Sequence, residues 1–203
     1  IPPKGWFCQM RVTDASSAVT KLMKQAGCKM VCLGIESVAA DTLKAFGKGQ
    51  NPEQIKEGLD HLHEAGIETL PMTIAGADTD TFWSFFSGIR QLARWGVTYL
   101  QIAIMVPLPG TKMTARFIAN ERRFSQNLDR YNGMHVLLKP KKMSKIGVWM
   151  ALYLVTIWFY FFAGNGRRLF KKHFRFYLKM IKAAFLQVLK EPWQAIKERF
   201  ASD

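Results

Sequence analysis

The sequence predicts an α/β fold: a partial (β/α) barrel of parallel strands, followed by an all-helical basic tail. Three repeats of one unit carry the prediction. A helix-like stretch closes on Gly27, Gly66 or Gly96, and an apolar run follows at 31–37, 72–78 or 100–107. Glycine just past a helix takes the left-handed conformation that ends it. A short, nearly continuous apolar run reads as a strand covered on both faces. Strand and helix in alternation mean parallel pairing through crossover helices. In such sheets the chemistry gathers at the carboxyl ends of the strands. Glu36, Ser37, Asp78 and the turn after Val106 are therefore expected on one rim.

The elements follow in order. Residues 5–12 alternate Trp6, Cys8, Met10 and Val12 with the more polar set Phe7, Gln9 and Arg11, as in a half-covered strand. Asp14 or Ser16 is placed to cap a helix running to about Gln25. A strand at 30–36 comes next, then a short helix opened by Asp41 and a loop at 47–51. Asn51-Pro52 is a helix start with proline in the first turn. Ile55, Leu59 and Leu62 share one face of that helix. A strand at 69–75 leads through Gly76 to a helix from about Asp80 to Trp95, with Phe82, Phe86, Ile89 and Leu92 on its apolar stripe. Asp78 and Asp80 read as caps of that helix. The last strand, 98–106, runs into the rigid turn Pro107-Leu108-Pro109-Gly110-Thr111, whose threonine can cap a further helix. Residues 120–138 are irregular, and Lys139-Pro140-Lys141-Lys142 marks a boundary. The domains are therefore 1–138, the barrel part, and 139–203, the tail. A closed eight-stranded barrel typically takes ~250 residues. Four strands are about half of one, and the chain starts at Ile1. It is expected to be the carboxyl-terminal part of a longer polypeptide, with no signal peptide at its own start.

Charge is unevenly distributed. The 203 residues carry a net +14, but 1–138 hold 15 Lys+Arg against 12 Asp+Glu, and 139–203 hold 14 against 3. The tail alone is basic, as suits an anionic surface. Three cysteines, Cys8, Cys28 and Cys32, make no disulfide framework and read as reduced thiols of a cytoplasmic protein. Cys28 and Cys32 read as small buried residues and not as metal ligands. His61 and His63, two apart on a helix, point in different directions and cannot share a metal; a solvated helix face suits them.

Five passages in order resemble the radical SAM superfamily: Gly34-Ile35-Glu36-Ser37, Leu43 with Lys48-Gly49-Gln50, Ala65-Gly66-Ile67, Ile74-Ala75-Gly76-Ala77-Asp78, and Pro107-Leu108-Pro109-Gly110-Thr111. The likeness runs from about Trp6 to Ser144 and is strongest to the subgroup often fused to a cobalamin-binding domain. It implies a partial TIM-like barrel. It also implies a 4Fe-4S cluster that cleaves S-adenosylmethionine to a 5′-deoxyadenosyl radical, with cobalamin as a further cofactor of the subgroup. The family holds its cluster with a CxxxCxxC loop, which this sequence does not contain. The cluster ligands are therefore expected upstream, and this chain is expected to hold no metal and to be inactive alone. The resemblance places Glu36 and Ser37 against the methionyl or ribose part of the cofactor, and Ile74 and Gly76 beside its adenine. Gly76 is equally well explained by the turn alone. Gln9 and Arg11 project from the first strand. Arg11 can meet an anionic group of the ligand or pair with Asp14 or Glu36. Ile104 and Met105 offer backbone atoms. The catalytic residues are not legible.

Residues 146–166 carry no charge and are rich in aromatics. Helical, they would extend about 31 Å. Lys141, Lys142 and Lys145 precede them, and Arg167, Arg168, Lys171 and Lys172 follow. Phe170, Phe174, Tyr177, Ile181, Phe185 and Leu189 then recur at helical spacing among basic residues. Three placements are open: in a membrane interface, against the barrel or a partner, or across a bilayer. The first is favoured, so 146–190 is expected to meet an anionic membrane surface at the inner face of the membrane. The aromatics form an apolar helix face, so nucleic acid is not expected as a partner. The function expected is radical chemistry on a small, hydrophobic, lipid-like or tetrapyrrole-like substrate near the membrane. The alternative is a non-catalytic membrane-associated scaffold that keeps the half-barrel.

Overall fold

A computed structural model of the chain describes residues 5–163 continuously and eight positions beyond them, 165, 167, 168, 171, 175, 178, 179 and 182. The apolar positions of the second tail segment, Phe170 to Leu189, lie outside the described residues.

Four parallel strands form one open sheet in the order β1-β2-β3-β4: Trp6–Met10, Cys28–Glu36, Glu68–Ala75 and Gln101–Ile104. Each pair is joined by helices: α1 (Ser17–Gln25), then α2 (Ala40–Ala45) with α3 (Pro52–Glu64), then α4 (Phe82–Arg94). Helix α5 (Lys112–Ala119) and the long α6 (Lys145–Phe162) follow. Order in space thus repeats order in sequence, as in a segment of a (β/α) barrel. Gly27, Gly66 and Gly96 all have positive φ, so the three expected helix-closing glycines do that work.

The core lies on one face of the sheet. Val31, Leu33 and Ile35 of β2 pack with Ile55, Leu59 and Leu62 of α3 and with Ile89 and Leu92 of α4. The alternate residues of β2 and β3 are only half-buried, because side chains of a strand alternate between faces. Among the described residues this second face carries no helix.

Several boundaries differ from expectation. The first strand stops at Met10, and Val12–Asp14 is a 3₁₀ turn that buries Val12 against Gly58 of α3. Of the two candidate caps, Ser16 caps α1. β2 begins at Cys28, two residues early. Ala39, not Asp41, is the cap residue of α2, and its N–H goes to the Ser37 hydroxyl. Neither Asp78 nor Asp80 caps α4. Thr81 does so, in a reciprocal pair with Ser84. On α4 the structure buries Phe85 and leaves Phe86 half-buried. β4 is four residues long, and its open edge is met by an irregular segment: Gly133 C=O accepts from Ile104 N–H at 2.7 Å.

Helix α6 lies beyond the boundary drawn at 138, yet it packs on the half-barrel. Val148, Ala151, Leu152, Val155 and Phe159 are buried in the same core as the strands. The Tyr160 hydroxyl donates to Leu100 C=O at 3.0 Å and accepts from Leu100 N–H at 3.1 Å. Asn165 donates to Gly96 C=O at 2.8 Å. α6 is long and apolar enough to cross a membrane by length and composition.

Candidate functional site

The helix-free face is the candidate ligand face, because its alternate strand side chains are only half-buried. Strand register sets its rows. Phe7 lies beside Met30, Gln9 beside Cys32 and Leu70, Gly34 beside Met72 and Gln101, and Ile74 beside Ala103. Gln9, Glu36 and Ile74, three of the six residues expected to bind the cofactor, are brought to this one face. Its carboxyl end is occupied by Glu36.

Glu36 is held in an unusual backbone state. The β2–β3 register slips between Gly34 and Glu36, and Glu36 has φ +64°. Ser37 N–H bonds to Ile35 C=O at 2.8 Å, closing a three-residue turn with Glu36 at its apex. A side chain in the left-handed region costs about 1–2 kcal/mol. Such strain persists only where the surroundings over-determine it, and it concentrates at functional sites. Here Gln50, itself buried, donates to Ile35 C=O at 3.0 Å and braces the turn. The bulge aims the carboxylate back over Gly34, where a Cβ would stand 3.4 Å from Oε1 and 3.8 Å from Lys48 Nζ. Lys48 Nζ pairs with Glu36 Oε1 at 3.0 Å and reaches Gly34 C=O at 3.5 Å. Both side chains keep some exposure, 35% for Lys48 and 20% for Glu36, so the pair remains open to a ligand. Gly34 and Lys48 belong to the ordered motifs, but no role could be assigned to either from sequence.

The other expected residues stand apart from this arrangement. Ser37 uses its hydroxyl to accept Ala39 N–H at 3.1 Å, at the start of α2. Gly76 is buried with φ +95°, and a Cβ there would meet Val148 and Pro140. Its close approach is thus to α6, and the turn accounts for it. Arg11 is exposed at the end of β1, and the ion pair of Glu36 is made by Lys48 instead. Asp78 pairs with Arg122 and accepts Lys141 N–H at 3.1 Å, tying the end of β3 to the chain before α6. His61 and His63 are not solvated. Both are half-buried, one ring nitrogen 2.9 Å from Ala15 C=O and the other 3.1 Å from the Thr69 hydroxyl. They meet different elements, as their spacing requires.

The cysteines do not suit a cluster. Three thiolates in one loop are needed. Cys28 is buried on the core side of β2, and Cys32 lies on the helix-free face. Burial pushes the Cys8 and Cys28 thiols up, away from the thiolate form a metal takes. Among the described residues no group of three or more His, Cys, Asp or Glu is placed to hold a metal ion.

Beneath the rim sits a buried acid. Asp80 is almost fully buried, and its Oδ1 accepts from the Thr42 hydroxyl at 2.7 Å, which in turn accepts from Thr79 at 2.7 Å. Oδ2 has no partner among the described residues. Burial raises the Asp80 pKa, against the opposing pull of hydrogen bonds from Thr42 and the Ala77 backbone. With the folded pKa above the unfolded one, stability is greatest below the ordinary carboxylate range and declines as pH rises through the folded value. Asp80→Asn keeps the Thr42 bond without the charge. It is expected to melt higher than the parent at pH 7, with the difference shrinking as pH falls toward 4, in thermal scans across that range.

Past β4 the same end of the sheet opens into a cleft of about 870 Å³. Pro107, Pro109, Ile118, Leu128 and Tyr131 give it apolar walls, and Arg123 stands on its edge. Of its lining residues, Ile118 and Leu128 are exposed. Arg122 connects it to Asp78 at the end of β3.

Comparison with known proteins agrees with this geometry. The radical SAM superfamily profile matches residues 7–87, from β1 into α4. An uncharacterized methyltransferase of Pyrococcus horikoshii is 28% identical over 191 residues, which is 94% of this chain and 41% of that protein. The bacteriochlorophyllide d C-12(1)-methyltransferase of Chlorobaculum tepidum is 29% identical over 126 residues, 62% of this chain and 27% of the relative. The chain therefore spans well under half the length of these relatives. Among solved structures, the radical S-adenosylmethionine methyltransferase TsrM of Kitasatospora setae, with cobalamin and a [4Fe-4S] cluster bound, superposes with a TM-score of 0.51. It shares 16% identity over 56% of this chain and 21% of TsrM, a likeness of fold. Four parallel strands in sequential order are the fold that the radical SAM superfamily profile implies, and residues 7–87, from β1 into α4, carry the likeness to it.

Proposed function

We propose that this chain is the carboxyl-terminal part of a radical S-adenosylmethionine methyltransferase of the cobalamin-associated kind, acting on a hydrophobic substrate. The observation that carries the reading is Glu36, held in a left-handed turn at the carboxyl end of β2 with its carboxylate on the helix-free face. An adenosyl-sulfonium ligand suits that face. A carboxylate there accepts hydrogen bonds from ribose hydroxyls or an ammonium. Gly34 leaves the backbone bare beneath it, and Ile74 supplies an apolar surface for a flat base. Lys48 holds the carboxylate in place before the ligand arrives. The 4Fe-4S cluster, which supplies the electron for cofactor cleavage in this superfamily, finds no ligand set among the described residues. Its thiolates, and any cobalamin, are assigned to the rest of the polypeptide.

A hydrophobic substrate is supported by the methyltransferase relatives and by the apolar cleft beside β4. Its volume suits a drug-sized or larger flat molecule, and Arg123 suits an acidic substituent on it.

The test is equilibrium binding of S-adenosylmethionine to the full polypeptide by titration calorimetry, with 5′-methylthioadenosine as the comparison ligand. Binding of both is expected, since both carry the adenosyl group that the face is proposed to hold. A folded polypeptide that binds neither removes the enzyme reading and leaves the scaffold alternative.

A further inference from the structure

A helix laid on a sheet ordinarily turns a polar arc outward. α6 does not. Its core face is satisfied by Val148, Leu152, Val155 and Phe159, and the Tyr160 bonds to Leu100 lock it in place. The opposite arc is apolar as well: Ile146 is 72% exposed, Met150 41% and Leu154 49%, with Ile157 and Phe161 beside them at helical spacing. Between 146 and 162 the side-chain hydroxyls include Thr156, which is spent on Leu152 C=O at 2.5 Å. The apolar surface continues onto α4. Phe86 meets Trp158 edge-on at 4.9 Å and Trp83 at 6.2 Å, and Trp83 is 72% exposed. Lys141, Lys142 and Lys145 stand at one end of this strip, all exposed, and Arg167 and Arg168 at the other.

We infer that the outward arc of α6, together with Trp83, seats the half-barrel on an anionic lipid bilayer, with α6 lying in the interface plane and not crossing it. The charge pattern selects this occupant. An apolar arc between clusters of one sign, with an exposed tryptophan at its side, matches the apolar-below, anionic-above layering of a headgroup region. The docked face selects the orientation. A spanning α6 would have to break the Tyr160 bonds and strip Phe159 and Val155 from the core. The surface lies away from the helix-free face, so anchoring leaves the cofactor face unobstructed.

The experiment is co-sedimentation of the full polypeptide with vesicles of phosphatidylcholine alone and of phosphatidylcholine mixed with phosphatidylglycerol. Sedimentation with the mixed vesicles and release by alkaline carbonate are expected. Met150→Glu with Leu154→Glu changes two exposed positions and should keep the parent circular dichroism spectrum and S-adenosylmethionine affinity. It is expected to weaken vesicle binding at least tenfold. Lys142→Glu with Lys145→Glu should weaken binding to the anionic vesicles by more than tenfold, since each cation near such a surface contributes about 1 kcal/mol, or about fivefold. Undiminished binding of the Met150→Glu, Leu154→Glu protein would assign attachment to the chain beyond α6 and overturn the inference. So would resistance to carbonate, which marks a span. Failure to sediment at all also overturns it, as does a dimer that this double variant dissociates, because the arc then meets protein.

Discussion

Glu36→Gly is expected to separate stability from function at the rim. The glutamate occupies a backbone conformation that glycine adopts freely. Glu36→Ala loses the carboxylate but keeps the Cβ, and with it the strain of about 1–2 kcal/mol. Both variants lose the ion pair with Lys48, a partly exposed interaction that contributes about 0–1 kcal/mol. Glycine also costs the folded chain about 0.5–1 kcal/mol in backbone entropy relative to alanine. The strain is the larger quantity, so the glycine protein should equal or exceed the alanine protein in urea midpoint. Both should lose S-adenosylmethionine affinity by about 10- to 100-fold, the range set by a charge-assisted hydrogen bond of about 1.5–3 kcal/mol. Calorimetric titration and urea melts on the same samples decide it. Parent-like affinity in both variants would take Glu36 out of the binding site. An alanine protein clearly more stable than the glycine protein would show that the turn is not strained.

Phe159→Ala should be among the most damaging single changes in the chain. The ring is 1% exposed, lies edge-on to Tyr160 at 5.1 Å and belongs to the same core as the strands. Removing a buried phenylalanine costs about 3–5 kcal/mol through lost transfer energy and the cavity left behind. In a domain of this size that corresponds to roughly 10 °C in melting temperature. Leu154→Ala, five residues earlier on the same helix, faces outward and should change stability by no more than about 0.5 kcal/mol. The contrast is the diagnostic. A docked helix makes the two positions unequal in lipid-free solution, whereas a helix free of the half-barrel would make them alike. Equal melting temperatures for the two variants would refute the docking of α6.

The repeated unit was readable because each of its signals is local. Gly27, Gly66 and Gly96 close helices through their own φ angles. Asn51 and Ser16 cap through their own side chains, and an apolar run of this length marks a strand wherever it lies, although here helices cover only one of its faces. The two aspartates after β3 misled for the opposite reason. Asp78 and Asp80 have the composition of caps, but Arg122 and Thr42, distant in sequence, engage them, and Thr81 is left to start α4. The histidines misled similarly: their helix is amphipathic, but Ala15 and Thr69 come from other elements to meet them.

At the candidate site, the resemblance named Glu36 and Ile74, the period of two was read only along the first strand, where it gave Gln9, and the pairing register brought the three to one face. The bulge broke that period at Glu36, and no pattern in the residues signals a register slip. Lys48 became a partner only when the loop after α2 folded back over β2. For the tail, composition left three placements open, since an apolar helix of this length satisfies the demands of a core, an interface and a bilayer alike. The amino-acid order by itself determined a parallel half-barrel, because capping, helix closure and strand periodicity act within a few residues. Only the tertiary structure decided which face of α6 the sheet covers and how the Glu36 carboxylate is aimed, because both depend on contacts between segments far apart in the chain.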